Sequence, residues 1–271
     1  MGPKINYLNV GCGNKYHSSW TNIDISACSP DVISYNILKG IPFPDNQFDV
    51  VYHSQVLEHI PQEDALSFMK ECLRVMKTNG TIRIVVPDLE NIINEYKKWL
   101  DQNLNSPDES SALKYDWMML ELFDQTVRNR PGGLMAPFLQ TKKGIIERKF
   151  IKDRIGYTGM TIMDNVGIEN DEKKVKYKKS LRKLLSRIKS KICSILLGEK
   201  YYIGNFRLGG EIHYWMYDRY SLSRLLKESG FRDIKVKNAF DSDIESWASY
   251  ELDIKNGIVY DPASLFIEAK K

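Results

Sequence analysis

The chain has 271 residues, 42% of them hydrophobic and 27% charged, so it can bury a real core as one large domain or one domain carrying an insertion. Its four cysteines (Cys12, Cys28, Cys72, Cys193) show neither a C-x-x-C pair nor metal-ligand spacing. They read as reduced thiols of a cytoplasmic protein and exclude a disulfide-stapled scaffold. No apolar run approaches the ~20 residues of a membrane-crossing helix, and the polar N-terminus is not a secretory signal. The net charge of +4 is uneven: residues 173–200 hold eleven Lys or Arg against one acid, Glu199, which makes that segment +10 and the remainder −6. A globally basic, nucleic-acid-like surface is thereby excluded.

Leu8-Asn9-Val10 reads as a short buried strand running into Gly11-Cys12-Gly13. Glycine tolerates positive φ and lets a ligand approach the backbone, so Gly11 and Gly13 mark a tight turn at a binding edge. A second strand, Asn22-Ile23, ends on Asp24, whose carboxylate can accept both hydroxyls of a ribose. In an open α/β sheet such groups meet outside the carboxyl ends of the strands, and the pair reads as a nucleoside crevice. A dinucleotide is disfavoured. Tyr16 occupies the third glycine position of that fingerprint, and Asp24 follows Gly13 by eleven residues rather than roughly twenty.

Val32 to Asn36 is the third predicted strand, and Phe48 to Tyr52, after a proline-rich turn, the fourth, ending on His53-Ser54. The next helix carries Ala65, Leu66, Met69, Leu73 and Met76 at helical spacing and is stopped by Asn79-Gly80. Thr81 to Val86 is the fifth strand. Asp88 then caps a helix from Leu89 to Leu100. This alternation predicts a parallel sheet. It breaks at the polar linker 102–111, the apolar helix Tyr115–Val127 and the loop 128–135. Regular signals resume near Gly209: Asp218 caps a helix that Gly230 terminates, Phe231 to Val236 is a strand, and Ser264 to Ala269 is the last.

The runs Leu-Asn-Val-Gly-Cys-Gly-Asn and Asn-Ile-Asp-Ile, and above all the phrase from Pro42 to Ile60 (Pro-Phe-Pro-Asp-Asn-Gln-Phe-Asp-Val-Val-Tyr-His-Ser-Gln-Val-Leu-Glu-His-Ile), resemble the class I S-adenosylmethionine-dependent methyltransferases of the type 11 kind, in a branch with a short first crossover. Tyr217 to Phe231 is similar to the family's closing helix and strand. The resemblance covers about 1–100 and 209–271 and leaves 101–208 as a helical insertion, a lid or acceptor region. It implies a Rossmann-like α/β fold: a seven-stranded, mainly parallel sheet with helices on both faces and the insertion after the fifth strand. It also implies S-adenosylmethionine as cofactor, with Val10, Gly11, Cys12, Gly13, Asp24 and Ile25 holding its methionyl and ribose parts. Asn36, Ile37 and His53 would lie near the adenine or the sulfonium. Asn36 stands where relatives carry an acid, though an amide can still meet the exocyclic amine or a ring nitrogen.

Methyl transfer is mainly a matter of positioning, and a base is required when the acceptor is a hydroxyl. His59 and His213 are the catalytic candidates, with Asp88 behind them. Asp124, Gln125 and Arg128 cluster on the helix of the insertion and would grip a polyhydroxylated or anionic acceptor; a solvated polar face is the alternative. Some relatives bind a divalent metal through Glu-x-x-Glu-His and a distant His. Here Gln55, read as four residues before His59 on one helix, replaces the first acid, so no metal is expected.

Lys173 to Leu197 reads as a basic amphipathic helix, either a lid packed on the main domain or a contact with an anionic membrane surface. Nucleic acid is disfavoured, since no aromatic and basic interleaving is present. The reading is therefore a cytoplasmic methyltransferase, with 173–197 either packed as a lid or making it peripheral at the inner membrane surface, that O-methylates a sugar, glycan or lipid-linked acceptor. A non-catalytic cofactor-binding scaffold and an NAD-dependent oxidoreductase are the rivals.

Overall fold

In the computed structural model the described residues are 5–141, 147–164 and 198–271; the basic segment 173–197 lies outside them. Seven strands form one sheet: β1 (Tyr7–Val10), β2 (Thr21–Asp24), β3 (Val32–Ser34), β4 (Phe48–Ser54), β5 (Met76–Pro87), β6 (Arg232–Lys237) and β9 (Ser264–Lys270), in the order β3-β2-β1-β4-β5-β9-β6. Pairings are parallel from β3 to β5, and β9 runs antiparallel to both β5 and β6. The chain thus starts at the sheet's centre, runs outward through β2 and β3, and returns to β4 beside β1. That reversal opens a crevice at the carboxyl ends of β1 and β4, the place where such sheets bind ligands. A small hairpin, β7 (Ile254–Lys255) and β8 (Ile258–Val259), is paired only with itself and not into this sheet.

One face of the sheet is covered by α1 (Gln62–Val75) and by α7 (Arg219–Ser229). The buried positions of α1, Ala65, Phe68, Met69, Cys72 and Val75, recur at helical spacing and pack on Leu8, Val51, Ile82 and Ile267 with Leu222 and Leu226 of α7. As expected, Asp218 and Ser221 form a capping box at the start of α7, and Gly230 ends it at φ +100°. The predicted end of α1 is displaced. Met76 already belongs to β5, paired with Phe48, and Asn79 with Gly80 bends that strand before Thr81 pairs with Val50.

The opposite face is aromatic. Trp20, Val50, Tyr52, Val85 and Phe266 are covered, among the described residues, by Ile244, Trp247, Leu252 and Ile254, from loops, a short 3-10 turn and the hairpin. The sequence reading put helices here as well. This cover is instead tied to the sheet through a fully buried arginine. Arg83 donates to Asp253 at 2.7 Å, to Glu268 at 2.7 Å and to the carbonyls of Asn238 and Asp241, with its guanidinium over the Trp247 ring.

A third core sits with the helices that follow β5. It joins α2 (Leu89–Asn105), α3 (Glu109–Val127), α4 (Met135–Gln140) and α5 (Arg148–Asp164) through Ile92, Trp117, Met118, Leu139 and Ile151. α2 packs along α3, so it shares its core with the segment after it. α5 kinks at Gly156, where a side chain would strike the Val259 carbonyl, and this lets the loop before β9 pass close by. α6 (Glu199–Arg207) leads back to the main sheet. Among the described residues no helix is long and apolar enough to cross a membrane.

Candidate functional site

The glycine turn and Asp24 are joined as the spacing suggested. Gly11 (φ +66°) and Cys12 both donate their N–H to the Ile23 carbonyl, at 2.8 and 3.1 Å. A Cβ on Gly11 would come within 2.6 Å of the Val56 side chain, so packing as well as φ demands glycine there. At Gly13 (φ +51°) an added Cβ would meet nothing within 4 Å, which leaves the backbone open on the ligand side. Gly13 N–H donates to Asp24 Oδ2 and Ser26 N–H to Asp24 Oδ1, each at 2.9 Å. The carboxylate is therefore held still and keeps lone pairs on both oxygens for two hydroxyls.

The neighbouring expected residues lie along the same edge. Val10 is buried and Cys12 nearly so, its thiol pushed up to about 12 by burial. Ile25 follows Asp24 and is exposed, an apolar surface free for a ring. Tyr35 N–H donates to the Asp24 carbonyl at 2.7 Å, bringing the end of β3 alongside. Asn36 Oδ1 caps the turn after it by accepting from Leu38 N–H, leaving its amide nitrogen as the group a base could use; Ile37 packs half-buried on the core. An open Gly13 backbone, a fixed carboxylate and an exposed apolar residue fit a nucleoside with an amino-acid tail.

His53 does not belong to this set. It is fully buried, its ring packs edge-on to Phe68 of α1, and burial pulls it down to about 3. Its position on β4 sends the side chain into the helical layer, away from the cofactor edge. A pH effect follows from the sign. The folded state holds His53 neutral while the unfolded chain protonates below its ordinary value of 6.5, so stability is lost as pH falls from 6.5 toward 3. By pH 5 this amounts to about 2 kcal/mol. Urea unfolding at pH 5 and pH 7.5 should show the His53→Phe variant losing that much less than the parent; equal losses in both would refute the assignment.

A cavity of about 490 Å³ opens at the carboxyl edge, beyond the glycine turn. The sheet side contributes Lys15, Gln55, His59 and Ser264; the helical side contributes Glu121, Gln125, Arg128, Met135 and Arg154; His213 closes it. The two catalytic candidates His59 and His213 meet here, with ring centroids 4.7 Å apart. The segment before α7 is laid over the turn Leu57–His59 by Tyr214 N–H to the Glu58 carbonyl at 2.7 Å, and is tied to α3 by His213 N–H to the Gln125 carbonyl at 2.9 Å. His59 Nδ1 bonds the Ile212 carbonyl at 2.9 Å, which assigns the proton to Nδ1 and leaves Nε2 with its lone pair. Burial lowers His59 below its usual value, and burial with the His59 and Arg128 charges takes His213 down to about 2. Both imidazoles are neutral at physiological pH.

Glu58 lies beside them, fully buried, with no partner for either carboxylate oxygen, and burial pushes it up to about 8. One atom each of Glu58, His59 and His213 fall within 4.8 Å of one another, a donor set suited to a proton relay or a divalent cation. No metal is expected from the sequence because Gln55 replaces an acid, but the three clustered donors do not include position 55. Gln55 lies just past β4 at φ +55°, outside any helix, and donates to Ser264 Oγ at 3.0 Å. Asp88 is spent as the cap of α2, accepting from Glu90 and Asn91 N–H.

Of the three residues expected on the acceptor helix, Gln125 and Arg128 line the cavity and Asp124 does not. Its buried carboxylate accepts from Leu134 N–H at 2.6 Å and Met135 N–H at 3.4 Å, anchoring the start of α4. The cavity residues not anticipated include two ion pairs: Lys15 with Asp261 at 2.7 Å, and Glu121 with Arg154. Lys15 stands two residues after Gly13 and was open to inspection; Arg154 carries no local signal.

Residues 8–84 match the family model described as a methyltransferase domain. No curated protein matches the chain. Solved structures similar to it include an S-adenosylmethionine-dependent methyltransferase from Archaeoglobus fulgidus, at 15% identity and TM-score 0.38, covering 98% of this chain and 86% of that one. Another, from Thermotoga maritima, aligns at 10% identity and TM-score 0.39, covering 100% and 84%. These likenesses are distant and say nothing of an acceptor.

Proposed function

We propose that this chain, which carries a class I S-adenosylmethionine-dependent methyltransferase domain, O-methylates a polyhydroxylated acceptor, a sugar or a glycan or lipid-linked sugar, held in the cavity between the glycine turn and α3. The observation that carries this reading is His59. Its Nε2 keeps a free lone pair at a cavity wall, because Nδ1 is committed to the Ile212 carbonyl. A neutral imidazole there can take the proton of an acceptor hydroxyl.

When bound, S-adenosylmethionine supplies an electrophilic methyl group. Gly11, Gly13 and Asp24 would hold it, with Ile25 and Asn36 toward its base. The chain's own work is to orient the hydroxyl, to receive its proton at His59 Nε2, and to keep water from competing. Amides of Gln55 and Gln125 and the paired charges of Glu121 and Arg154 give the cavity the mixed donors and acceptors that a polyol needs. The basic amphipathic segment 173–197 supports a lipid-linked acceptor presented at an anionic inner-membrane surface.

Labelled methyl donor, incubated with the protein and a panel of free and lipid-linked sugars, tests the reaction. His59→Ala should lower kcat by about 10²–10⁴-fold while S-adenosylhomocysteine binds as before. Full turnover in that variant would remove His59 from the mechanism, and cofactor binding without turnover on any acceptor would favour a scaffold.

A further inference from the structure

The cations around the cavity are not equivalent. Lys15 is neutralised by Asp261 at 2.7 Å, and Arg154 is held by Glu121 through both its Nε and Nη2 groups. Arg207, just outside, spends its guanidinium on the carbonyls of Thr126 and Arg128 at the end of α3. Arg128 is different. It stands at the residue that ends α3, where its side chain is half-buried and lines the cavity. Its guanidinium donates from Nη2 to the Glu211 carbonyl, a neutral acceptor, at 2.6 Å. Among the described residues no carboxylate lies within ion-pair distance of it, and its Nε is buried with no hydrogen-bond partner. A buried guanidinium N–H without an acceptor costs free energy unless something arrives to accept it.

The position of this charge matters. It is near enough to act on both His59 and His213, and its field disfavours a proton on either ring. The Glu58 carboxyl responds to Lys15 and Asp261 instead, so Arg128 is not the missing counter-ion of that acid. Beside the imidazole that faces the acceptor the cavity therefore presents a guanidinium that has no ion-pair partner among the described residues, with the acid Glu211 and two amides, Gln55 and Gln125, also on its walls.

We propose that Arg128 forms an anion subsite, so that the acceptor carries a carboxylate or phosphate group close to the hydroxyl that is methylated. This rests on the methyltransferase reading above and narrows its substrate class to acidic sugars: uronic acids, or sugars bearing a phosphate or phosphodiester. A guanidinium offers two parallel N–H groups to such an anion, which fixes its orientation as well as its charge.

Calorimetric titration of the protein saturated with S-adenosylhomocysteine decides the matter, with glucuronic acid, glucose 1-phosphate and glucose as probes. Either acid should bind at least about tenfold more tightly than glucose, and whichever does so names the carboxylate or the phosphate as the group held. Arg128→Gln should abolish that preference, Arg128→Lys should retain part of it, and neither should alter affinity for S-adenosylhomocysteine. Equal binding of acidic and neutral sugars, or an acid preference untouched in Arg128→Gln, overturns the subsite. Should Arg128→Gln fail to fold, raising salt with the parent protein serves in its place: the preference must shrink, and a salt-independent one overturns the proposal. The cofactor reading fails separately, by absence of S-adenosylhomocysteine binding. In that event, titration of the free protein with glucuronate, glucose 1-phosphate and glucose tests Arg128 by the same preference.

Discussion

Asp24→Ala is expected to weaken S-adenosylhomocysteine binding by two orders of magnitude or more in a calorimetric titration. Each hydrogen bond to a charged acceptor contributes about 1.5–3 kcal/mol, and a ribose would lose two. The substitution does further damage, since Asp24 also holds the N–H groups of Gly13 and Ser26, and without it the open backbone at Gly13 loses its anchor. Asp24→Asn separates the two effects. It keeps one oxygen for Gly13 N–H and loses the charge, so it should fall between the parent and the alanine variant. The fold should survive in both, because Asp24 is at the solvent edge of β2 and outside the apolar clusters. Affinity within threefold of the parent in Asp24→Ala would remove the ribose from this carboxylate and leave the crevice without its central acceptor.

The second large effect is on stability. Arg83→Ala should cost about 3–5 kcal/mol, because it strands two buried carboxylates, Asp253 and Glu268, that face the same guanidinium at 2.7 Å. Asp253 also accepts from Tyr52 and Trp247, and Glu268 from Ser242 and the Asp243 N–H, so the loss reaches the whole cover of the aromatic face. Burial raises Asp253. With its cation gone, protonation becomes the relief: the folded state then holds more protons than the unfolded one above the ordinary carboxylate range, and stability falls as pH rises through it. The penalty of Arg83→Ala should therefore be smaller at pH 5 than at pH 8, and Arg83→Ala with Asp253→Asn and Glu268→Gln should recover part of it. A penalty below 1 kcal/mol at pH 8 would mean that this network is not what holds the cover.

The resemblance read from the residues carried to the fold because its signals are local. A strand ending in a glycine turn needs positive φ at Gly11 and Gly13, and only the sequence around them decides that. The same is true of the capping box at Asp218 and the left-handed stop at Gly230. Failures came where one residue type has two uses. An acid near a helix end can grip a ligand or anchor backbone N–H groups, and Asp124 does the second. A histidine after a buried strand can face the crevice or the helix layer; on β4 the side chains alternate between faces, and His53 falls on the inner one. The aromatic face was missed for a related reason: a layer made of loops, a 3-10 turn and a short hairpin has no periodicity to find.

By itself the sequence determined the strand order's ingredients, the glycine turn, Asp24 and the helix caps, since each depends on backbone preferences within a few residues. Only the tertiary structure decided the cavity. His59 meets the Ile212 carbonyl across 153 residues and Lys15 meets Asp261 across 246, and no local pattern encodes which distant charges cancel. Arg128 stands without an acidic partner among the described residues, while Lys15 and Arg154 have theirs. That is a property of the assembled charges, readable only once burial and pairing are known.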